Sequence, residues 1–420
     1  MTFRGLIANT AGTALYGVID SQLYSISPTN GRTVLGTLYT RRGTVGMKLG
    51  LNQLVITDGA NGYVYDMLRS TFSRITADGW MGSYTVQALD GYFTFIQPNS
   101  QVFYISALED ATTLGALDFA TANASPDKLV GQITTGRVLV LFGEVSAEIW
   151  QDSGAAAFPF ERNSGAFLDV GLMAAHTAKE LDNSVFWLGR DARGAGIVYK
   201  LEGYRAVRIS TIAIEQVIQA AIYARVDVSQ AVAYTYQEDG HAFYVLQVPG
   251  VQTTWVYDTA TRLWHERAEF PDGIYAQHRG RFHAYCYGMH LIAGDSATIW
   301  QYDPQANTNA GDVLVRDRIS PHDALPSLGR VHFHAFELDC TVGRGVHCQA
   351  QPRVLLRYSN DGGINLDSAT WRTATLGAIG ERFARARFLR CGSARDRVWQ
   401  VRCTDDVPFA IVSAAIEATS

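Results

Sequence analysis

Leu54-Val55-Ile56-Thr57-Asp58-Gly59 leads into Gly62-Tyr63-Val64-Tyr65. An apolar β-branched run, an Asp/Gly/Asn turn and a second run ending on an aromatic make the pattern of a β-hairpin. The same order returns at Val18-Ile19-Asp20 with Leu23-Tyr24, at Phe93-Thr94-Phe95 with Phe103-Tyr104, and at Val138-Leu139-Val140-Leu141 with Ile149-Trp150. Three later units are Val185-Phe186-Trp187-Leu188 with Val198-Tyr199, Phe243-Tyr244-Val245-Leu246 with Val256-Tyr257, and Leu291-Ile292 with Ile299-Trp300. Ile-Trp-Gln occurs twice, at 149–151 and 299–301.

The closing aromatics stand at 24, 65, 104, 150, 199, 257 and 300, a mean spacing of 46 residues. Four strands of five or six residues with four short turns fill about 40–50 residues, the period of a propeller blade. The chain is therefore predicted to be all-β, with a β-propeller of six or seven blades over residues 1–310. A long β-meander or two β-sandwiches are the competing arrangements. The widest interval, 199 to 257, holds Ile214, Val217, Ile218 and Ala221 at i, i+3, i+4 and i+7. That spacing predicts one amphipathic helix over Thr211–Ala224, capped by Ser210 or Thr211 and packed on the rim. Pro304, Gly311, Pro321 and Pro326 punctuate a connector, after which strand signals resume, so 311–420 is expected to be a C-terminal antiparallel β domain.

Composition agrees with this class. Of 420 residues 47% are hydrophobic and 18% charged, the range of a packed soluble fold. The net charge of −5 gives no global attraction for nucleic acid or for an anionic membrane. Met1–Tyr16 lacks the apolar core of a secretory signal, and Phe409–Ile416 is too short to span a bilayer, so no membrane insertion is expected. Cys286, Cys340, Cys348, Cys391 and Cys403 are odd in number and lack framework spacing, which points to synthesis in a reducing cytoplasm.

Candidate chemistry is sparse. His332, His334, Cys340, His347 and Cys348 gather metal-type donors within 17 residues, but neither Cys-x2-Cys nor His-x3-His occurs, and His-x-His is also what a half-buried strand gives. No metal or cofactor is assigned. Gly294-Asp295-Ser296 reads as a hairpin turn, and no nucleophile elbow, Walker loop or dinucleotide fingerprint is present. No catalytic residue is assigned either. Ser359-Asn360-Asp361-Gly362-Gly363 resembles the Asp-box turn of sialidase-type propellers, which keeps a glycan-binding or sialidase-like propeller as the alternative function. The strongest charge feature is Glu381–Arg402, where Arg382, Arg385, Arg387, Arg390, Arg395, Arg397 and Arg402 face only Glu381 and Asp396. These seven arginines are the candidate partner interface, with a solvated strand face as the plainer reading.

The C-terminal segment carries a family resemblance. Arg357-Tyr358-Ser359-Asn360-Asp361-Gly362-Gly363, Trp371, Arg385, Arg387, Leu389-Arg390, Gly392, Ala394-Arg395-Asp396-Arg397-Val398 and Val407-Pro408 resemble the closing signature of tail accessory proteins of short-tailed bacteriophages. Those proteins are called packaged-DNA stabilisation, tail hub or nozzle proteins. Phe158-Pro159-Phe160-Glu161-Arg162, Asp182-Asn183-Ser184-Val185-Phe186-Trp187-Leu188-Gly189, and Ser210-Thr211 with Ile214-Glu215 extend the likeness, which departs at Ile364-Asn365-Leu366, Cys391 and Cys403.

The resemblance implies a non-enzymatic virion tail subunit made in the host bacterial cytoplasm. It implies a hexameric ring below the portal and its adaptor, with tail needle, fibre or tailspike proteins nearby. Such a ring retains packaged DNA, forms part of the ejection channel, and touches the genome transiently and without sequence preference. An acidic body would let the duplex slide, while the arginine segment would face the adaptor or a neighbouring subunit.

Overall fold

The computed structural model describes residues 1–155, 158–324, 329–344, 351–366 and 369–419. Two compact units emerge, one of Met1–Ala268 with Tyr275–Tyr302, the other of Glu269–Ile274 with Asp303–Ser420.

Among its described residues the first unit consists of seven antiparallel sheets in chain order. The first is Phe3–Ala8, Leu15–Ile19, Gln22–Ile26 and Arg32–Thr37, and the second Gly46–Leu49, Gln53–Thr57, Gly62–Asp66 and Thr71–Arg74. The third begins at Val86–Leu89 and the fourth at Leu129–Thr135. In the fifth, Gly171–Leu172 and Lys179–Leu181 both pair with Ser184–Arg190, and Ala195–Glu202 and Arg205–Arg208 follow. The sixth begins at Val232–Glu238, and the seventh is Phe282–Cys286, Met289–Ala293 and Ile299–Tyr302. Each repeated hairpin of the sequence supplies the second and third strands along one sheet, and in the three-stranded seventh sheet the third of these, Ile299–Tyr302, is an edge.

Buried clusters join each sheet to the next. Val18 and Leu23 pack on Leu54, Ile56 and Tyr63 between the first two sheets. The last cluster returns to the start, where Cys286, Leu291 and Ala293 meet Phe3, Leu15 and Ile19. There the Phe3 amide donates to the Gly294 carbonyl at 3.0 Å and the Tyr287 amide to the Gly12 carbonyl at 2.7 Å. A linear meander would leave the faces of its first and last sheets open. This chain closes them on each other, so apolar burial stabilises both faces of every sheet.

One polar staple fixes the passage from the first sheet to the second. Arg4, 4% exposed, donates Nε to the Gly43 carbonyl at 2.7 Å, Nη1 to the carbonyls of Asp20 and Thr40, and Nη2 to the Arg42 carbonyl and Thr40 Oγ1. All five guanidinium hydrogens are matched by the fixed fork of one side chain.

The helix is Ile212–Tyr223, with Thr211 as N-cap accepting from the Ile214 amide. Its buried stripe is Ile214, Ile218 and Ala221, packed with Tyr244, Leu246 and Tyr257. Val217, expected on that stripe, is 43% exposed. Adjoining positions at i+3 and i+4 straddle the contact line, and Ile218 takes it.

The seventh sheet adds an acid-sensitive contact. His283 and His290 meet ring nitrogen to ring nitrogen at 3.0 Å, and His283 stacks beside Tyr234. Burial, with His290 adding to it, pushes His283 down to about 3 from its ordinary 6.5. The folded chain keeps this ring neutral while the unfolded chain protonates it. Its stabilising contribution is therefore complete above about pH 6.5 and is lost as the pH falls toward 3. Urea midpoints measured from pH 7 to pH 4 should decline, and His283→Gln should decline less steeply. An equal slope in both proteins would remove His283 from the account.

The second unit pairs two sheets. One comprises Arg316–Ile319, Asp396–Cys403, Arg353–Ser359 and Arg372–Thr375, with Asp323–Ala324 also on Asp396–Cys403. The other centres on Val331–Cys340, which has Ala386–Leu389 and Ser393–Ala394 along one edge and Ile411–Thr419 along the other. Phe333, Phe336 and Leu338 from the second sheet pack on Val354, Leu356, Trp399 and Val401 from the first. The alternation of Val331 and Phe333 inward with His332 and His334 outward is that of a strand with one buried face.

Candidate functional site

The seven arginines of 382–402 separate into three environments. Arg397 is fully buried. Its guanidinium carbon lies 4.2 Å from the ring centres of Phe333 and Tyr358 and 4.9 Å from that of Trp399. Nε donates to Asn360 Oδ1 at 2.9 Å and Nη1 to the Cys391 carbonyl at 2.6 Å. Burial lowers its affinity for the proton, an effect opposed by Tyr358, Cys391 and Asp323, yet arginine remains charged. Three aromatic faces hold this cation inside the sandwich. Arg397 therefore has no surface to offer a partner, and its place in the candidate interface is corrected: it is a core residue.

Arg402 is half-buried and forms a two-pronged pair with Asp317, both contacts at 2.7 Å. Trp371 lies between two guanidinium groups, 4.4 Å from that of Arg357 and 4.8 Å from that of Arg402. Arg385, Arg387, Arg382, Arg390 and Arg395 are exposed. Arg385 pairs with Glu337, and Arg387 reaches Glu337 at 3.6 Å and Glu417 at 2.8 Å. Among the described residues Arg382, Arg390 and Arg395 carry no ion pair. The basic excess of the linear segment is thus largely neutralised by acids from distant parts of the same unit. Three unpaired cations remain on its surface, near the exposed side chains of Phe383, at 94%, and Leu389.

On the opposite edge of Val331–Cys340 from the strands that carry these arginines runs Ile411–Thr419, which pairs with it through one edge. Among the described residues nothing pairs with its other edge. Eight of its nine residues are exposed, including Val412 at 76% and Ile416 at 40%. A long strand of small apolar residues with one charge and no proline lacks the usual protection of a free edge.

The remaining sequence candidates resolve into local structure. Ser359 Oγ accepts from the amides of Asp361 and Gly363 and donates to Asp361, whose carboxylate also accepts from the Asn365 amide. Those bonds to the ionised form hold Asp361 below the usual carboxylate value, the Ser359 contact first. The Asp-box-like turn thus closes on itself and presents Asn360 to Arg397. Asp295 forms a 2.8 Å pair with Arg281 in a hairpin turn. His332 and His334 point to solvent, where His334 lies 3.0 Å from Thr419 Oγ1, and Cys340 is half-buried. His347 and Cys348 lie outside the described residues.

Comparison with known proteins resolves the family. The description "Bacteriophage P22 Gp10, beta-propeller" matches residues 2–305, and "Bacteriophage P22 Gp10, beta-sandwich" matches residues 325–419. The chain belongs to the bacteriophage P22 Gp10 family. It is a phage structural protein, a β-propeller followed by a β-sandwich, and the family resemblance seen in the sequence is met. No curated protein matches it. Among solved structures, the N-terminal domain of Nup159 aligns over 71% of this chain and 86% of its own, at 10% identity and a TM-score of 0.39. PorZ, a type-IX secretion surface component of Porphyromonas gingivalis, aligns over 89% of this chain and 45% of its own, at 11% identity and a TM-score of 0.42. Neither likeness bears on function.

The Gp10-like motifs have structural causes. In Asp182-Asn183-Ser184 both Asp182 and Asn183 adopt positive φ, 53° each, which a two-residue hairpin turn requires. Trp187, fully buried, packs on Phe142 and Tyr199 and donates Nε1 to the Gly171 carbonyl at 3.2 Å. Gly189 follows because a Cβ there would lie 2.5 Å from the Tyr199 ring. Phe158 and Phe160 wedge against Phe103, joining the third and fourth sheets. Glu215 accepts from Ser210 Oγ and pairs with Arg208, fixing the helix start.

Proposed function

We propose that this chain is a ring-forming subunit of a short-tailed phage tail. It acts as a hub or nozzle below the portal and adaptor, where it retains packaged DNA and forms part of the ejection channel. The Gp10 family match across both units carries the reading. We read the seven sheets as seven blades and the assembly as a homohexamer, with needle, fibre or tailspike proteins as neighbours and only transient contact with the genome. The propeller unit holds more acids than bases, which favours a duplex that slides past it. The role is architectural rather than enzymatic. The Asp-box-like turn, engaged with Arg397, no longer favours a glycan reading.

The interface we assign consists of Arg382, Arg390, Arg395, Phe383 and the free edge of Ile411–Thr419, with Arg385, Arg387 and Arg402 already engaged within the unit. Val412→Lys with Ile416→Lys places two charges on an exposed strand. Stability of the isolated protein should change by less than about 0.5 kcal/mol per site, while incorporation into tails falls at least tenfold. Full incorporation of the folded variant would remove the strand from the interface. For the function itself, native mass of tails stripped from purified virions should contain this chain as a multimer. A chain found only as a monomer outside the particle would contradict the proposal.

A further inference from the structure

A short loop joins the first sheet to the second, and the Arg4 staple sets its shape by drawing the carbonyls of Thr40, Arg42 and Gly43 onto one guanidinium. Every donor of Arg4 is spent on these, on the Asp20 carbonyl and on the Thr40 hydroxyl, so Arg4 contributes charge to its surroundings but no further hydrogen bond. The side chains of Arg41 and Arg42 are left exposed. Among the described residues neither has an ion pair or a side-chain hydrogen bond.

Both open onto one cavity of about 920 Å³. Its walls come from parts of the propeller far apart in sequence: Asp20 and Gln22 at the central turn of the first sheet, the loop arginines, Gln230 ahead of the sixth sheet, and Arg281 ahead of the seventh. Closure of the ring, which seats the seventh sheet on the first, brings Arg281 to the others.

The charge of the cavity runs against that of the unit around it. The propeller unit has more acids than bases, yet Arg4, Arg41, Arg42 and Arg281 line this space against Asp20 alone. One oxygen of Asp20 is already engaged, accepting from the Thr2 amide at 3.0 Å. Arg281 reaches Asp295 at 2.8 Å, but that carboxylate is 73% exposed, so water screens the pair. Tyr24 donates its hydroxyl to Gln22 Oε1 at 2.5 Å, which leaves the Gln22 amide nitrogen as a neutral donor on the wall. An adjoining cavity of about 440 Å³ shares Arg42 and Gln230 but lacks this bias, because Arg42 and Lys128 are matched there by Asp58 and Glu144.

These features define a ligand class. Arginine forks present paired N–H donors at the spacing of phosphate oxygens. Guanidinium groups on separate walls favour an anion with more than one phosphate, and the volume is that of a site for a small organic molecule. We propose that this cavity binds a ligand carrying a di- or triphosphate chain. The chain oxygens accept charge-assisted hydrogen bonds from Arg41, Arg42 and Arg281, with Arg4 supplying fixed positive charge behind them. The site lies wholly within the propeller and is independent of its role in the tail.

Titration calorimetry on the full chain tests this in phosphate-free, metal-free buffer at constant ionic strength, with tripolyphosphate, adenosine triphosphate and inorganic phosphate as probes. Tripolyphosphate should bind saturably, and inorganic phosphate about tenfold or more weaker, since a single phosphate meets fewer of the guanidinium groups. Adenosine triphosphate separates the two sources of such a chain: tighter binding than tripolyphosphate assigns the site to nucleotides, equal or weaker binding to the inorganic chain. Arg41→Gln combined with Arg42→Gln should weaken tripolyphosphate binding about tenfold or more while leaving the Tm unchanged, because neither side chain has a partner in the fold. Arg281→Gln should weaken it in the same direction. Arg137→Gln, in an exposed turn of the fourth sheet outside the cavity, should bind as the parent does. A folded double variant with unchanged binding, a parent without saturable binding, or a loss in Arg137→Gln as large as that of the loop pair would overturn the site.

Discussion

Arg397→Ala is expected to lower the stability of the sandwich unit by about 3–5 kcal/mol, the cost of a cavity in a packed core together with orphaned acceptors. The substitution removes a side chain enclosed by Phe333, Tyr358 and Trp399, and it leaves Asn360 Oδ1 and the Cys391 carbonyl without their donors. Because Asn360 belongs to the turn closed by Ser359 and Asp361, loosening should spread to that hairpin. Arg397→Met preserves most of the volume and discards a buried charge whose Nη2 has no acceptor, so it should cost about half as much. Urea unfolding followed through tryptophan emission, with Trp399 in direct contact, measures both variants. An alanine variant within about 1 kcal/mol of the parent would return Arg397 to the surface reading.

Arg4→Ala is expected to cost about 3–4 kcal/mol, since one substitution orphans carbonyls at Asp20, Thr40, Arg42 and Gly43. Arg4→Lys should recover less than half of that, because three donors on a single nitrogen cannot satisfy five acceptors spread over two loops. The Thr40 hydroxyl that receives Nη2 itself donates to Asp58 at 2.7 Å, so the loss should reach the turn of the second sheet. Hydrogen exchange across residues 40–43 and 58–61 reports the local effect. Unchanged protection in Arg4→Ala would show that backbone pairing alone holds this passage.

The repeat was legible because its signal sits in the second and third strands of each sheet. Tyr24, Tyr65, Tyr104, Trp150, Tyr199, Tyr257 and Trp300 all fall on the strand that follows each repeated turn, and all but Trp300 join the buried clusters between neighbouring sheets. Outer strands give no such mark: Arg32–Thr37 is partly exposed throughout, so polar and apolar residues mix along it. The helix was visible through its period, but only contact with Tyr244 and Leu246 decides that Ile218 is buried and Val217 is not.

The arginine segment was harder, because net charge along a sequence is blind to partners far away in it. Asp317, Glu337 and Glu417 lie on three other strands and reach the arginines only through the sandwich. One clue was present. Arg397 shares strand phase with Trp399, Val401 and Cys403, all inward-facing, so period-two alternation places it in the core.

The central claim is that this Gp10-family propeller and sandwich form a ring component of the phage tail. A particle reconstruction at moderate resolution tests it most directly. The account predicts density for several copies of the seven-sheet unit around the tail axis beneath the portal, with Ile411–Thr419 at a subunit contact. A tail that lacks this density, or copies whose terminal strand faces only solvent, would contradict it.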